Sequence, residues 1–149
     1  MFGALKKAFG AGAREVQANY SQNKDYLEAV CAASALVAMA DGELEEVEKN
    51  KVIALLTNHS TLGKMYDRAT VEGTAETMFK RSKDASGRQS LARELDDIKG
   101  RPDGAQMAED VYLIAVDVSA ADGEVEPEEK VVLEKIASRL GVDPAKFTF

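Results

Sequence analysis

Apolar residues recur along this chain at the three- and four-residue spacing of helices, and the two-residue alternation of half-buried strands is scarce. No Asn-Gly or Asp-Gly pair joins two alternating apolar runs, so hairpins are not expected. The pattern predicts an all-α fold. A first helix is expected over about Phe2 to Tyr20, with Phe2, Leu5, Phe9, Val16 and Tyr20 near one face. Gly3, Gly10 and Gly12 loosen its beginning. A second should cover about Asp25 to Ala40 and stop at Gly42, and a third about Val47 to Thr57. The stretch Asn58 to Asp67 reads as irregular, with room for one short turn.

Further helices are predicted over about Val71–Lys83 and Ser86–Lys99, separated by the polar junction Asp84-Ala85-Ser86-Gly87. Pro102 and Gly104 punctuate the chain before a long helix over about Ala105 to Ala121. The next starts at Pro127, since proline suits the first helical position, and ends before Gly141. Asp143-Pro144 is placed to open one last short helix that tucks Phe147 and Phe149 onto the core. About seven helices result, in a single domain spanning 1–149.

Self-comparison adds a repeat. Ala40-Asp41-Gly42-Glu43-Leu44-Glu45-Glu46-Val47-Glu48-Lys49 aligns, 81 residues on, with Ala121-Asp122-Gly123-Glu124-Val125-Glu126-Pro127-Glu128-Glu129-Lys130. Seven of the ten positions are identical, and both copies stand between an Ala/Val-rich helix and an apolar-periodic one. The predicted architecture is therefore two similar helix–acidic turn–helix halves, about 25–57 and 105–140, packed around one core. In each turn the glycine should end the preceding helix in the left-handed region. Leu44 or Val125 then plugs the turn into the core, and Glu45 or Glu126 stands at the N-cap with Glu48 or Glu129 three residues later.

Asp41 and Asp122 break a local rule. They sit at the carboxyl end of a helix, where the macrodipole disfavours an anion, and they do so in both copies. The hairpin returns Glu48 and Glu129 to the same end, with Glu43 and Glu124 nearby, so five carboxylates crowd each decamer. Three readings follow. The carboxylates can be ordinary capping and solvated residues, they can hold a divalent cation, or they can form a docking surface for a basic partner. If a cation binds, the oxygen-only donors suit Ca²⁺, Mg²⁺ or Mn²⁺ better than Zn²⁺ or Cu. Asp41 and Asp122 would then be primary ligands, Glu48 and Glu129 would stand beside them, and Glu43 and Glu124 would be auxiliary. The turn is not an EF-hand: counting from Asp41, glycine is at position 2 rather than 6, and Val52 stands where the bidentate glutamate belongs.

Charge sharpens the picture. The net charge is −7, yet residues 1–24 carry +3 and residues 64–101 carry +2, so the negative charge concentrates around the two turns. That balance argues against general nucleic-acid binding. At 45% apolar residues the chain has the composition of a folded domain, and it lacks the uninterrupted apolar run of about 18 residues that a membrane span requires. Met1 to Phe9 has lysines but no apolar core, so it does not read as a secretory signal. The single cysteine, Cys31, excludes an internal disulfide framework and fits a reducing cytoplasm.

Chemistry beyond the turns is sparse. His59, the only histidine, reads as a loop or cap residue, and Cys31 as a small hydrophobe on a buried helix. With no nucleophile–base order and no Gly-rich phosphate loop, the expectation is a protein without catalytic activity and without an organic cofactor. The leader with Phe2, Leu5, Phe9 and its lysines could rest on anionic lipid, although packing on its own core is the simpler expectation.

Together, Ala29-Val30-Cys31-Ala32, Val37-Ala38 and Asp41-Gly42 with Glu48-Lys49 resemble the TerB family of tellurite-resistance proteins. So do Ala115-Val116, Asp122-Gly123, Pro127-Glu128-Glu129-Lys130 and Leu140-Gly141-Val142-Asp143-Pro144 in the second half. The resemblance implies a helical fold with two similar halves and an acidic cluster, which here would be Asp41, Glu48, Asp122 and Glu129. It also implies a role in stress operons whose products include a membrane protein and Ca²⁺-binding companions. The expected setting is therefore cytoplasmic, peripheral at the inner membrane, with a protein partner that can itself be membrane-associated. At Glu45-Glu46 the chain departs from the Ser/Asp-Pro often found there, which puts the capping of the first turn in question.

Overall fold

The periodic segments become seven α-helices and one 3₁₀ turn in the computed structural model, which describes residues 24–121 and 123–147 and has no strand among them. In order they are α1 (24–38), α2 (Glu46–Asn58), α3 (Ser60–Met65), α4 (Arg68–Arg81), α5 (Ala85–Asp96), α6 (Gly104–Ser119) and α7 (Pro127–Leu140), followed by the turn Pro144–Phe147. The helix expected over Phe2–Tyr20 lies outside the described residues, as do Asp122 and Phe149.

Local capping explains where these helices start and stop. His59 ends α2 and opens α3 in extended geometry, and its Nδ1 accepts the Thr61 N–H at 3.3 Å. The histidine is thus a cap, as expected, and the helix it opens occupies a stretch that had read as irregular. Asp67 accepts the Thr70 N–H at 2.7 Å and starts α4 three residues earlier than the apolar pattern indicated. Asp84 accepts the Gly87 N–H at 2.6 Å and opens α5. Hydrogen bonds from Thr70 and from the Gly87 amide hold the Asp67 and Asp84 carboxyls below the usual aspartate range. At the end of α7 the Val142 N–H reaches back to the Ala137 carbonyl at 2.9 Å and the Gly141 N–H to Ser138 at 3.2 Å. Gly141 at φ 75° permits this Schellman arrangement.

The core is built around α1. Every residue from Ala29 to Ala35 is at most 1% exposed, so this helix has no solvent face over that run. Its alanines keep the cylinder narrow, and the one polar residue, Ser34, donates to the Val30 carbonyl at 2.7 Å. Cys31 lies in the same run, and burial pushes its thiol up to about 12, so it is protonated packing material rather than a nucleophile. Contacts among the other helices run α2–α4–α5–α7–α6. Leu56, Leu91, Leu95, Val111 and Ile136 point into the shared core from α2, α5, α6 and α7. Phe147 packs against that core, its ring centroid 6.1 Å from that of Tyr112. An ion pair from Arg101 to Asp25 ties the loop before α6 to the first turn of α1. Among the described residues no helix is long and apolar enough to cross a membrane.

Candidate functional site

Both acidic turns are made the same way. The Met39, Ala40 and Gly42 amides donate to the Ala35, Val37 and Met39 carbonyls at 3.0, 3.1 and 2.9 Å. Eighty-one residues on, Ala120, Ala121 and Gly123 donate to Val116, Val118 and Ala120 at 2.9, 3.3 and 2.9 Å. Gly42 then takes φ 90° and Gly123 φ 96°, the left-handed region that a side chain would oppose. Leu44 and Val125 follow, each half-buried against the core, and Glu45 and Glu126 stand at the N-caps with ψ of 152° and 153°. The ends of α1 and α6, and the starts of α2 and α7, each fall 81 residues apart.

The two turns differ in how they begin the next helix. In the second, the Glu126 N–H donates to Glu129 Oε1 at 3.0 Å and Pro127 occupies the first helical position. In the first, Glu45 makes no side-chain cap bond, and Glu46 instead pairs with Lys49 at 3.1 Å. Lys49 also reaches Glu76 of α4 at 3.2 Å, which anchors this helix start sideways. The capping difference expected from Glu45-Glu46 is therefore present. Asp41 Oδ1 accepts the Glu43 N–H at 3.0 Å, so its carboxylate closes its own turn rather than capping the amides of α2.

Tertiary packing brings the turns to one place. A cleft of about 310 Å³ takes Asp41, Glu48 and Lys51 from one side and Glu126, Glu128 and Glu129 from the other. Val37, Val52 and Val118 supply its apolar lining. Glu48 and Glu129, equivalent in the two turns, are both half-buried, while Asp41 is exposed. Glu43 and Glu124 are exposed and lie outside the cleft lining. Asp122 lies outside the described residues, although its neighbour Ala121 lines the cleft. Three of the six residues singled out from sequence thus share one cavity: Asp41, Glu48 and Glu129.

Sequence reasoning missed three contributors. Glu126 and Glu128 read as helix-start residues, and Lys51 fell beyond the repeated decamer. A usable signal existed for Lys51. Glu48, Lys51 and Val52 stand at i, i+3 and i+4, so they occupy one face of α2. Among the described residues, no three Asp, Glu, His or Cys side chains are close enough together to hold a metal ion. Carboxylates from both turns therefore face a common space without converging on a point. The cleft offers hard oxygen donors, the Lys51 amine and an apolar base, with His59 and Cys31 outside its lining.

Over residues 27–149 the chain matches the family model described as Tellurite resistance protein TerB, and it belongs to that family. No curated protein and no solved structure matches it.

Proposed function

From membership in the TerB family and the shared acidic cleft, we propose that this domain is a non-enzymatic, cytoplasmic stress-response module. In this reading it takes up a divalent cation between its two acidic turns and couples that uptake to docking of a protein partner, one that can lie at the inner membrane. The observation that supports this is the single cleft receiving Asp41 and Glu48 from one turn and Glu126, Glu128 and Glu129 from the other. Carboxylates held near one another repel, and a cation placed among them relieves that cost. The donor chemistry suits Ca²⁺, Mg²⁺ or Mn²⁺. Asp41, Glu48 and Glu129 would be the protein's contribution together with Asp122, the residue that matches Asp41 in the repeated sequence. Glu43 and Glu124, exposed and off the lining, would add long-range attraction only. The described carboxylates do not converge three at a time, so side-chain rotation into the cleft has to accompany binding.

That last observation, with Lys51 already in the lining, favours a second reading: a metal-independent surface that contacts a basic partner through its carboxylates. Thermal unfolding of EDTA-stripped protein with Ca²⁺, Mg²⁺ and Mn²⁺ added separately separates the two. An ion at 100 times its dissociation constant stabilises by about 2.7 kcal/mol, a rise of roughly 5–10 °C in Tm for a domain of this size. The cation reading expects that rise with at least one ion and its loss in the Asp41→Asn, Asp122→Asn double variant. An unchanged Tm at millimolar ion rejects it and leaves the docking reading, whose probe is then a lysine-rich peptide.

A further inference from the structure

A second and larger cavity, about 660 Å³, lies where the end of α1 meets α5 and α7. Its α5 wall carries Arg88, Ala92 and Leu95, and its α7 wall carries Val132, Lys135, Ile136 and Arg139. On each helix these residues fall at three-, four- and seven-residue intervals, so each wall is a single helical stripe. Seven residues at about 1.5 Å rise give roughly 10 Å of wall, two turns of an inserted helix. Leu36 and Met39 extend the apolar lining from α1 and the turn after it.

The charges on this groove run against the rest of the molecule. Arg88, Lys135 and Arg139 stand there against one carboxylate, Asp96, in a chain whose net charge is −7. Two of the cations are fixed in place. Arg139 Nε and Nη2 donate to Asp96 Oδ1 and Oδ2, both at 3.1 Å, and Arg88 Nη1 donates to the Ser82 carbonyl at 3.0 Å. Lys135 is exposed at the centre of the α7 stripe. An apolar floor gives nothing to a phosphate backbone, and the overall negative field opposes polyanions at a distance. A short apolar stripe flanked by carboxylates satisfies floor and rim together.

We propose that this groove docks an amphipathic helix of a protein partner, with an apolar face about two turns long and aspartate or glutamate on its flanks. The apolar face buries against the half-buried Leu36, Met39, Ala92 and Val132, and the flanking carboxylates pair with Lys135 and Arg88. The site shares no lining residue with the acidic cleft, so it stands or falls independently of cation uptake.

The test is fluorescence anisotropy with the full chain in EDTA, using a labelled helical peptide that carries leucines at i, i+3, i+4 and i+7 flanked by glutamates. The control peptide has lysine at every glutamate. The expected result is binding of the glutamate peptide at least about tenfold tighter than the lysine peptide. That binding should weaken about tenfold in Lys135→Glu and also in the milder Lys135→Met, with amide shifts in labelled protein confined to α1, α5 and α7. Equal binding of the two peptides, no binding at millimolar protein, or binding unaffected by both variants overturns the proposal. Self-association of the chain that Lys135→Glu abolishes also overturns it, by assigning the groove to a second copy. Unfolding curves for both variants show whether the fold is retained, and the exposed position of Lys135 leads us to expect that it is.

Discussion

The turn between α1 and α2 and the turn between α6 and α7 match in the backbone features of their described residues and differ in how they start the following helix. Three turn hydrogen bonds, a glycine with positive φ, an extended glutamate N-cap and a half-buried aliphatic plug occur in both, 81 residues apart. Only the second has the proline at its first helical position and a bond from the N-cap amide to the glutamate three residues on. The first relies on Lys49, which ties Glu46 of its own helix to Glu76 of α4. The difference teaches that turn geometry resides in the Ala-Asp-Gly-Glu segment and the plug behind it. Capping adjusts stability afterwards without changing the path of the chain.

Five substitutions, in three sets, sharpen that comparison. The largest effect is expected at the glycines. A Cβ at Gly42 or Gly123 would meet no atom within 4 Å, so any cost of Gly42→Ala or Gly123→Ala is backbone strain alone. We expect about 1–3 kcal/mol at each by chemical denaturation, and similar values for the two. A cost confined to one turn would show that the shared φ does not reflect a shared constraint. Next, Glu129→Ala in EDTA should cost about 0.5–1.5 kcal/mol through loss of the bond from the Glu126 amide. Glu48→Ala should stay within about 0.5 kcal/mol. Equal costs would mean that the cap contributes nothing and that the cleft itself stabilises through both glutamates. Smallest is Glu46→Pro, which gives the first turn the proline of the second. It should stabilise by about 0.4–1 kcal/mol through restriction of the unfolded chain, read as a raised denaturation midpoint with unchanged slope. Destabilisation would show that the ion pair between Glu46 and Lys49 matters more than backbone restriction.

How far the sequence reveals this molecule depends on the range of the interaction concerned. Pro127 and Gly141 bracket α7 as read, because each acts on its own residue's φ. The buried α1 was legible from its Ala-rich apolar run, broken by Ser34, and Gly42 and Gly123 from their place after aspartate. The short α3 was hidden because its start depends on a histidine ring accepting an amide two residues on, which apolar periodicity does not register. The early start of α4 was hidden for the same reason at Asp67. Asp41, Glu48 and Glu129 could be named, but their meeting in one cleft could not, because the packing of α2 and α7 around α1 decides it. Lys51, Glu126 and Glu128 were passed over because the repeat drew attention to matched positions, and a cavity is lined by whatever residues face it.

The burial of α1 on every side from Ala29 to Ala35 has a consequence for how this chain can vary. A helix on the surface of a domain carries core positions in a stripe, about three in every seven, and the rest can drift with little effect on the fold. From Ala29 to Ala35 no position is more than 1% exposed, so added volume has nowhere to go at any of seven successive sites. Chains that diverge while keeping this architecture should therefore retain a contiguous block of small residues here, where other helices retain only a stripe. Such a block is set by packing alone, and invariance along it would say nothing about a binding site.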